Sequence, residues 1–141
     1  TGVKVSLFDI RDITKPALVS NHIFGDAGSW SEALYDPHAL TFLQTSQDQF
    51  RVTVPMILYK NEVVKDVTEY RWLNSGLHLF EINDATKKAS LNYVGNMITE
   101  SRDQSEFPTW SGYDRSVLHD NAVYYLHNSK VHSSSWPIAK Q

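Results

Sequence analysis

Acidic and histidine side chains are the residues in this chain with the types and spacing for chemistry. His119, His127 and His132 fall within fourteen residues. Zinc chemistry would need two or three of them converging on one ion with a position left open. No HExxH or comparable ligand spacing accompanies them. The ordinary reading is that they are surface histidines on strands, with His127 and His132 on either side of one turn. Asp9-x-x-Asp12 and Glu81-x-x-Asp84 offer carboxylates to a hard cation. Calcium takes six to eight oxygens, and two carboxylates per turn fall short. The ordinary reading is again structural: Asp12 and Asp84 close turns by accepting backbone N–H bonds. No metal or cofactor is assigned.

Glu32, Asp36 and Asp114 are the acidic groups available on paper for sugar cleavage, which needs two carboxylates at a set separation across a cleft. Nothing in their spacing fixes that separation. G-x-S-x-G is absent, and Trp110-Ser111-Gly112 is only a fragment of it. Gly25-Asp26-Ala27-Gly28 is too short and too acidic to cradle phosphate. No catalytic residue is named.

The elements that must position these groups are strands. Val3, Val5 and Leu7 alternate with polar residues, as do Leu77, Leu79 and their neighbours. Arg51 to Leu58 is a near-continuous β-branched run. Such runs, bounded by Asn, Asp, Gly, Pro and Ser, read as strands. They are placed at 3–10, 17–24, 37–43, 49–58, 76–83, 90–98, 115–119, 121–127 and 130–134. No amphipathic helix of three turns is present. Ser29 and Glu32 stand in capping-box spacing at the start of a single turn, and Lys60 to Tyr70 is read as a short helix within a long loop.

Internal repetition sets the architecture. Leu7-Phe8-Asp9-Ile10-Arg11-Asp12-Ile13-Thr14-Lys15 recurs as Leu79-Phe80-Glu81-Ile82-Asn83-Asp84-Ala85-Thr86-Lys87, a period of 72 residues. Trp30-Ser31 with Tyr35-Asp36 recurs, across a two-residue gap, as Trp110-Ser111 with Tyr113-Asp114. Two interleaved repeats of about four short strands describe a propeller blade. The chain is therefore expected to be mainly β, with antiparallel four-stranded blades, about two blades of a β-propeller. Residues 1–28 would end one blade, 29–100 would form a full blade, and 101–141 would begin the next. Loops 25–36 and 59–75 account for the long period.

The run Val5-Ser6-Leu7-Phe8-Asp9-Ile10-Arg11-Asp12-Ile13-Thr14-Lys15-Pro16 resembles the strand-turn signature of bacterial secreted β-propellers distantly related to WD repeats. Ser31 to Asp36 followed by His38-Ala39-Leu40 is similar to that family's next segment. Arg51 to Pro55 and Asp114 to Leu118 fit as well. Ile13-Thr14 depart from the pattern, standing where Pro or Ser is usual. The resemblance implies a propeller fold, the last blades of the domain, and an extracytoplasmic location (secreted, periplasmic or surface-anchored). It implies no activity.

Composition agrees with a globular chain: 41% hydrophobic and 21% charged over 141 residues. Cysteine is absent, which removes disulfides and thiolate chemistry. A net charge of -3 with scattered basic residues gives no electrostatic footprint for nucleic acid. No run of 18 apolar residues predicts membrane insertion. The start at Thr1 reads as a piece of something longer. A propeller needs four to eight blades, so the isolated chain is expected to self-associate.

In a blade with strands A to D, the D-to-A and B-to-C connections emerge at the same end. Segments 25–36, 59–75 and 99–114 therefore crowd one rim. They carry Trp30, Glu32, Tyr35, Asp36, Tyr70, Trp72, Trp110, Tyr113 and Asp114, the candidate partner-binding residues. Aromatic rings beside polar groups suit a binding face. The competing reading is that tryptophans plug gaps between blades, and repetition favours that role for Trp30 and Trp110. The expected function is a non-enzymatic module contacting an unknown protein or glycan. The alternatives are a hydrolase or lyase acting on a sugar or peptide at that rim, or a purely structural role.

Overall fold

The computed structural model describes residues 1–85 and 88–136. The second copy of the repeated run ends in Thr86-Lys87, which lie outside the described residues, as does the tail from Pro137.

Among the described residues, strands form three antiparallel sheets. Strands β1 (Val3–Asp9) and β2 (Ala17–Phe24) make the first. The second runs in order β3 (Thr41–Gln44), β4 (Gln49–Val64), β5 (Val67–Asn83) and β6 (Ser90–Ser101). The third runs β7 (Arg115–His119), β8 (Ala122–His127) and β9 (Lys130–Ser135). The chain is thus mainly β, with one complete four-stranded blade between parts of two others.

Packing explains why Arg51 to Leu58 reads as a run rather than an alternation. The middle blade is covered on both faces, so both side-chain sets of β4 are buried: Val52, Val54, Met56 and Leu58 on one face, and on the other Ile57 with Thr53, whose hydroxyl bonds the Ser116 hydroxyl at 2.7 Å. Val52, Val54, Met56 and Leu58 join Phe80, Leu91 and Val3 in a core against the first sheet. Leu77 and Leu79 turn the other way and pack with Met97, Val123, Tyr125 and Trp136 of the second core. Full burial of such a side chain contributes about 1.5–3 kcal/mol, so these two interfaces hold the blades in order. Phe24 of the first sheet lies edge-on to Phe80, with centroids 5.7 Å apart.

Pro55 sits inside a central strand, where proline normally removes a ladder bond. Here β3 has already ended: its last partner on β4 is Thr53. The Pro55 carbonyl accepts a bond of 2.5 Å from the Ser31 hydroxyl. A residue's nitrogen and carbonyl point to the same side of a strand, so the missing N–H faces Ser31 and no bond to β5 is lost.

Three local expectations are corrected. Lys60 to Tyr70 is no helix: β4 and β5 continue as a hairpin to the pair Val64↔Val67, so most of the expected 59–75 loop is strand. Val63, Val64, Val67 and Thr68 are β-branched and favour the pleated surface. Lys65 and Asp66 supply the two left-handed residues of the turn, with φ of 50° and 64°. The helical turn at Glu32–Leu34 is capped by Ser31, whose hydroxyl accepts from the Ala33 N–H. Ser29 instead accepts from the Tyr59 N–H at 2.9 Å. Residues 37–39 form a second short turn capped by Asp36, so strand β3 starts later, at Thr41. Among the described residues, no helix is long and apolar enough to cross a membrane.

Asp12 closes its turn, accepting from the Thr14 N–H at 3.0 Å and its hydroxyl at 2.6 Å. In the second copy the Ala85 N–H goes to Asn83.

Candidate functional site

Three segments meet at one end of the middle blade. Trp30 and Ile57 exchange backbone bonds of 2.8 Å, docking segment 25–36 on β4. The Asp26 N–H donates to the Tyr59 carbonyl, and the Asn61 N–H donates back to the Asp26 carboxylate. Gly28, at φ 97°, lies against Tyr59 and Tyr70 in a conformation that side chains rarely adopt. The Arg102 N–H donates to the Leu73 carbonyl, which ties the third segment to β5.

The rim carries two kinds of aromatic ring. Tyr35, Tyr70, Phe107, Trp110 and Tyr113 are each at least 60% exposed. Trp30 is half-buried and touches both Tyr35 (centroids 5.9 Å) and Trp110 (5.3 Å). Trp72 is buried, and its indole N–H donates to Ser75 Oγ at 3.2 Å. Between the hairpin and the third segment runs a shallow groove of about 440 Å³, lined by Tyr59, Tyr70, Trp72, Arg102 and Phe107.

Beneath the rim lies a polar network between the second and third sheets. Glu32 is buried; its carboxylate accepts from the Asp114 N–H at 3.0 Å and from the Arg115 guanidinium at 3.2 Å. Arg115 also pairs with Asp36 at 2.6 Å. Asp114 is buried and accepts from Ser111, from the Tyr125 hydroxyl at 2.6 Å and from His127 Nδ1 at 2.9 Å. Burial pushes the Asp114 carboxyl up, but the bonds from His127, Ser111 and Tyr125 outweigh it and hold it low. The Asp114 bond raises His127 above the ordinary imidazole value, against the effect of burial. Burial, then the charge of Asp114, drives the Tyr125 hydroxyl far up. Glu100 lies 3.4 Å from His127 Nε2 and accepts from the Thr109 N–H at 3.0 Å.

Of the nine residues expected at the rim, Trp30, Tyr35 and Trp110 form one aromatic cluster. Glu32 and Asp36 meet through Arg115 as an ionic latch, which Asp114 joins by its backbone: its N–H donates to Glu32 and its carbonyl accepts from Arg115. Tyr70 stands on the hairpin, Tyr113 is exposed beside the latch, and Trp72 is interior. Sequence reading missed Tyr125 and Arg115, took His127 for a surface histidine, and did not connect Glu100 with it. A signal existed for Tyr125 and His127: they alternate with Val123 on one face of β8, so burying Val123 buries His127 too. His127 is therefore a buried ion-paired residue, not a surface one.

Chemically the network is built to hold, since each Asp114 oxygen already has donors. Among the described residues, no group of three His, Cys, Asp or Glu side chains is placed to bind a metal ion.

Compared with models of known families, residues 1–137 match one described as a beta propeller domain. Comparison with curated proteins and with solved structures returned no match.

Proposed function

The chain belongs to the beta propeller domain family, and on that premise we propose that it is a non-enzymatic, extracytoplasmic binding module whose rim contacts a protein or a glycan. One observation carries this reading. Five largely exposed aromatic side chains come from three separate segments, and backbone bonds fix those segments to one end of one blade. Solvent-exposed rings cost hydration unless a partner covers them, and aromatic residues dominate binding energy at interfaces. The location rests on the resemblance of the Val5–Pro16 run to secreted propellers.

The test is capture on an immobilised chain, using a panel of soluble glycans and an extracytoplasmic protein extract. Tyr35→Ala, Tyr70→Ala and Trp110→Ala proteins run in parallel. A specific partner lost in these variants supports the reading. Retention unchanged in all three overturns it. Turnover of generic glycosidase or peptidase substrates would put the enzymatic alternative in its place.

The same structure motivates a proposal about assembly. Among the described residues, the outer edges of β1 and β9 are unpaired, and Val117, Tyr124, Leu126 and Val131 are exposed on the third sheet. Open edges and apolar faces favour association, so a second copy is the proposed occupant. Light scattering after size exclusion tests this, and a stable monomer near 16.1 kDa would refute it.

A further inference from the structure

The hairpin of β4 and β5 runs on beyond β6, and its two edges are treated differently. The β4 edge is closed by this chain's own segment 25–31. Trp30 exchanges backbone bonds with Ile57, and the Asp26 N–H donates to the Tyr59 carbonyl. The Tyr59 N–H donates to Ser29 and the Asn61 N–H to Asp26. Tyr59 and Asn61 therefore point their backbone groups away from β5. Directly opposed residues of an antiparallel pair either exchange bonds or both point outward. Tyr59 opposes Trp72, Asn61 opposes Tyr70 and Val63 opposes Thr68. The backbone groups of Thr68, Tyr70 and Trp72 thus face the other edge, on the side of β6.

β6 does not follow β5 that far. Its last pair is Asn74↔Ser101, and the Arg102 N–H makes one further bond to the Leu73 carbonyl. Among the described residues, no hydrogen bond is made to the outward groups of Thr68 and Tyr70. Both residues are exposed, whereas Trp72 is buried and closes the inner end of the row.

The groove of about 440 Å³ lies along this edge. Its lining takes in Glu69, Tyr70, Arg71 and Trp72 in succession, with Arg102 and Phe107 from the third segment. Consecutive side chains of a strand point to opposite faces. A groove that meets all four therefore follows the edge of the strand rather than one face.

Such an edge selects its occupant. Extended backbone repeats N–H and C=O in step with a strand, as Trp30 does against Ile57 on the opposite side. A glycan carries no such ladder. Edges kept bare are commonly blunted by proline or lysine, and residues 67–73 contain neither. Their one cation, Arg71, is already paired with Glu62 and Glu69.

We propose that an extended peptide segment of a partner protein adds to the sheet at the open edge of β5, bonding the backbone of Thr68 and Tyr70 in the row that β6 leaves vacant. The alternation of β5 sets the chemistry of that segment. Every second residue is apolar and packs against the exposed Tyr70 ring, and the residues between are polar, beside Glu69 and Arg71. The proposal rests on the rim-binding reading and narrows its partner to the protein class.

The test selects a random octapeptide library displayed on phage against the chain, then titrates the best peptide, made synthetically, into ¹⁵N-labelled protein. The expected peptide alternates apolar and polar residues and slows hydrogen exchange of the Thr68 and Tyr70 amides. Thr68→Pro removes an outward N–H, keeps the bonds to β4 and leaves every aromatic ring in place. It should weaken binding about tenfold or more, as should methylation of alternate backbone nitrogens in the peptide. The methylated peptide meets unaltered protein, so a folding defect cannot imitate its loss. If no peptide is selected, or the methylated peptide binds as well as its parent, the proposal is overturned. If a partner needs Tyr35 and Trp110 but is retained by Thr68→Pro, the rim reading stands and this one falls. If the peptide is lost in Thr68→Pro but not in Tyr35→Ala or Trp110→Ala, the edge site stands and the reading of the whole rim as one contact face falls.

Discussion

The indole rings of Trp30 and Trp110, equivalent members of the internal repeat, lie against each other with centroids 5.3 Å apart at 57°. The repeated tryptophan of one connection is thereby packed on that of the next. Tilted pairs of this kind are worth about 0.5–1.5 kcal/mol beyond area burial. Trp30→Ala and Trp110→Ala should therefore be non-additive by that amount in urea unfolding of the single and double variants. Strict additivity would mean that the contact carries no energy.

Asp114 is the residue on which the junction of the second and third sheets turns. Removing its charge leaves His127 and Tyr125 buried without their common partner. Breaking a buried pair from one side costs about 3–5 kcal/mol, so Asp114→Ala should lose stability on that scale. Asp36→Ala removes the more exposed arm of the Arg115 latch together with the cap of the 37–39 turn, and should still cost clearly less than Asp114→Ala, because solvent screens the pair. Chemical denaturation of the two variants would show the contrast.

Two buried histidines give stability opposite pH slopes. His78 is pushed down to about 4 by burial. Its unfolded form takes up a proton that the folded form refuses, so stability falls as pH drops from about 6.5 to about 4, by roughly 3 kcal/mol in total. His127 is raised by Asp114. Its contribution is complete below about 6.5 and is lost as pH rises through its folded value. Unfolding free energies across this range should show a maximum between the two losses. His78→Gln should flatten the acid side, and His127→Gln the alkaline side.

The hairpin turn holds Lys65 and Asp66 in left-handed backbone, which non-glycine residues adopt at a cost of about 1–2 kcal/mol. Replacing the pair with Asn and Gly, as Lys65→Asn with Asp66→Gly, should stabilise the hairpin by about 1 kcal/mol. Hydrogen exchange of the 60–70 amides would report it as slower opening.

Gly76 presents the reverse case. A Cβ there would stand 2.4 Å from the Met97 carbonyl and 2.9 Å from Ile98 Cα, both backbone atoms. Gly76→Ala should cost about 1–3 kcal/mol through overpacking, read as a lower melting temperature.

Much of the blade order was legible in the chain. Strand runs such as Val3 to Asp9 and Ala122 to His127 follow from period-two patterning, and the Leu7/Leu79 repeat aligned the last strand pair of one blade with that of the next. Antiparallel order alone decides which connections share an end, so segments 25–36, 59–75 and 99–114 could be grouped from the chain, whereas the burial of Trp72 within that group could not. The hairpin at 59–72 was harder to see. Its solvent-facing residues, such as Lys60, Glu62 and Glu69, lack an apolar alternation, and its turn uses no glycine.

What the sequence determined is the set of local preferences: where strands run, which way side chains alternate, and that a unit recurs. Tertiary structure alone decided how those units share their charges. Glu32 bonds the Asp114 backbone from 82 residues away, and His127 is clamped between Glu100 and Asp114, which belong to two different sheets' ends. No local pattern encodes such pairings. They exist because stacking one blade face on another removes water from polar groups, and each such group must then find its partner across the interface.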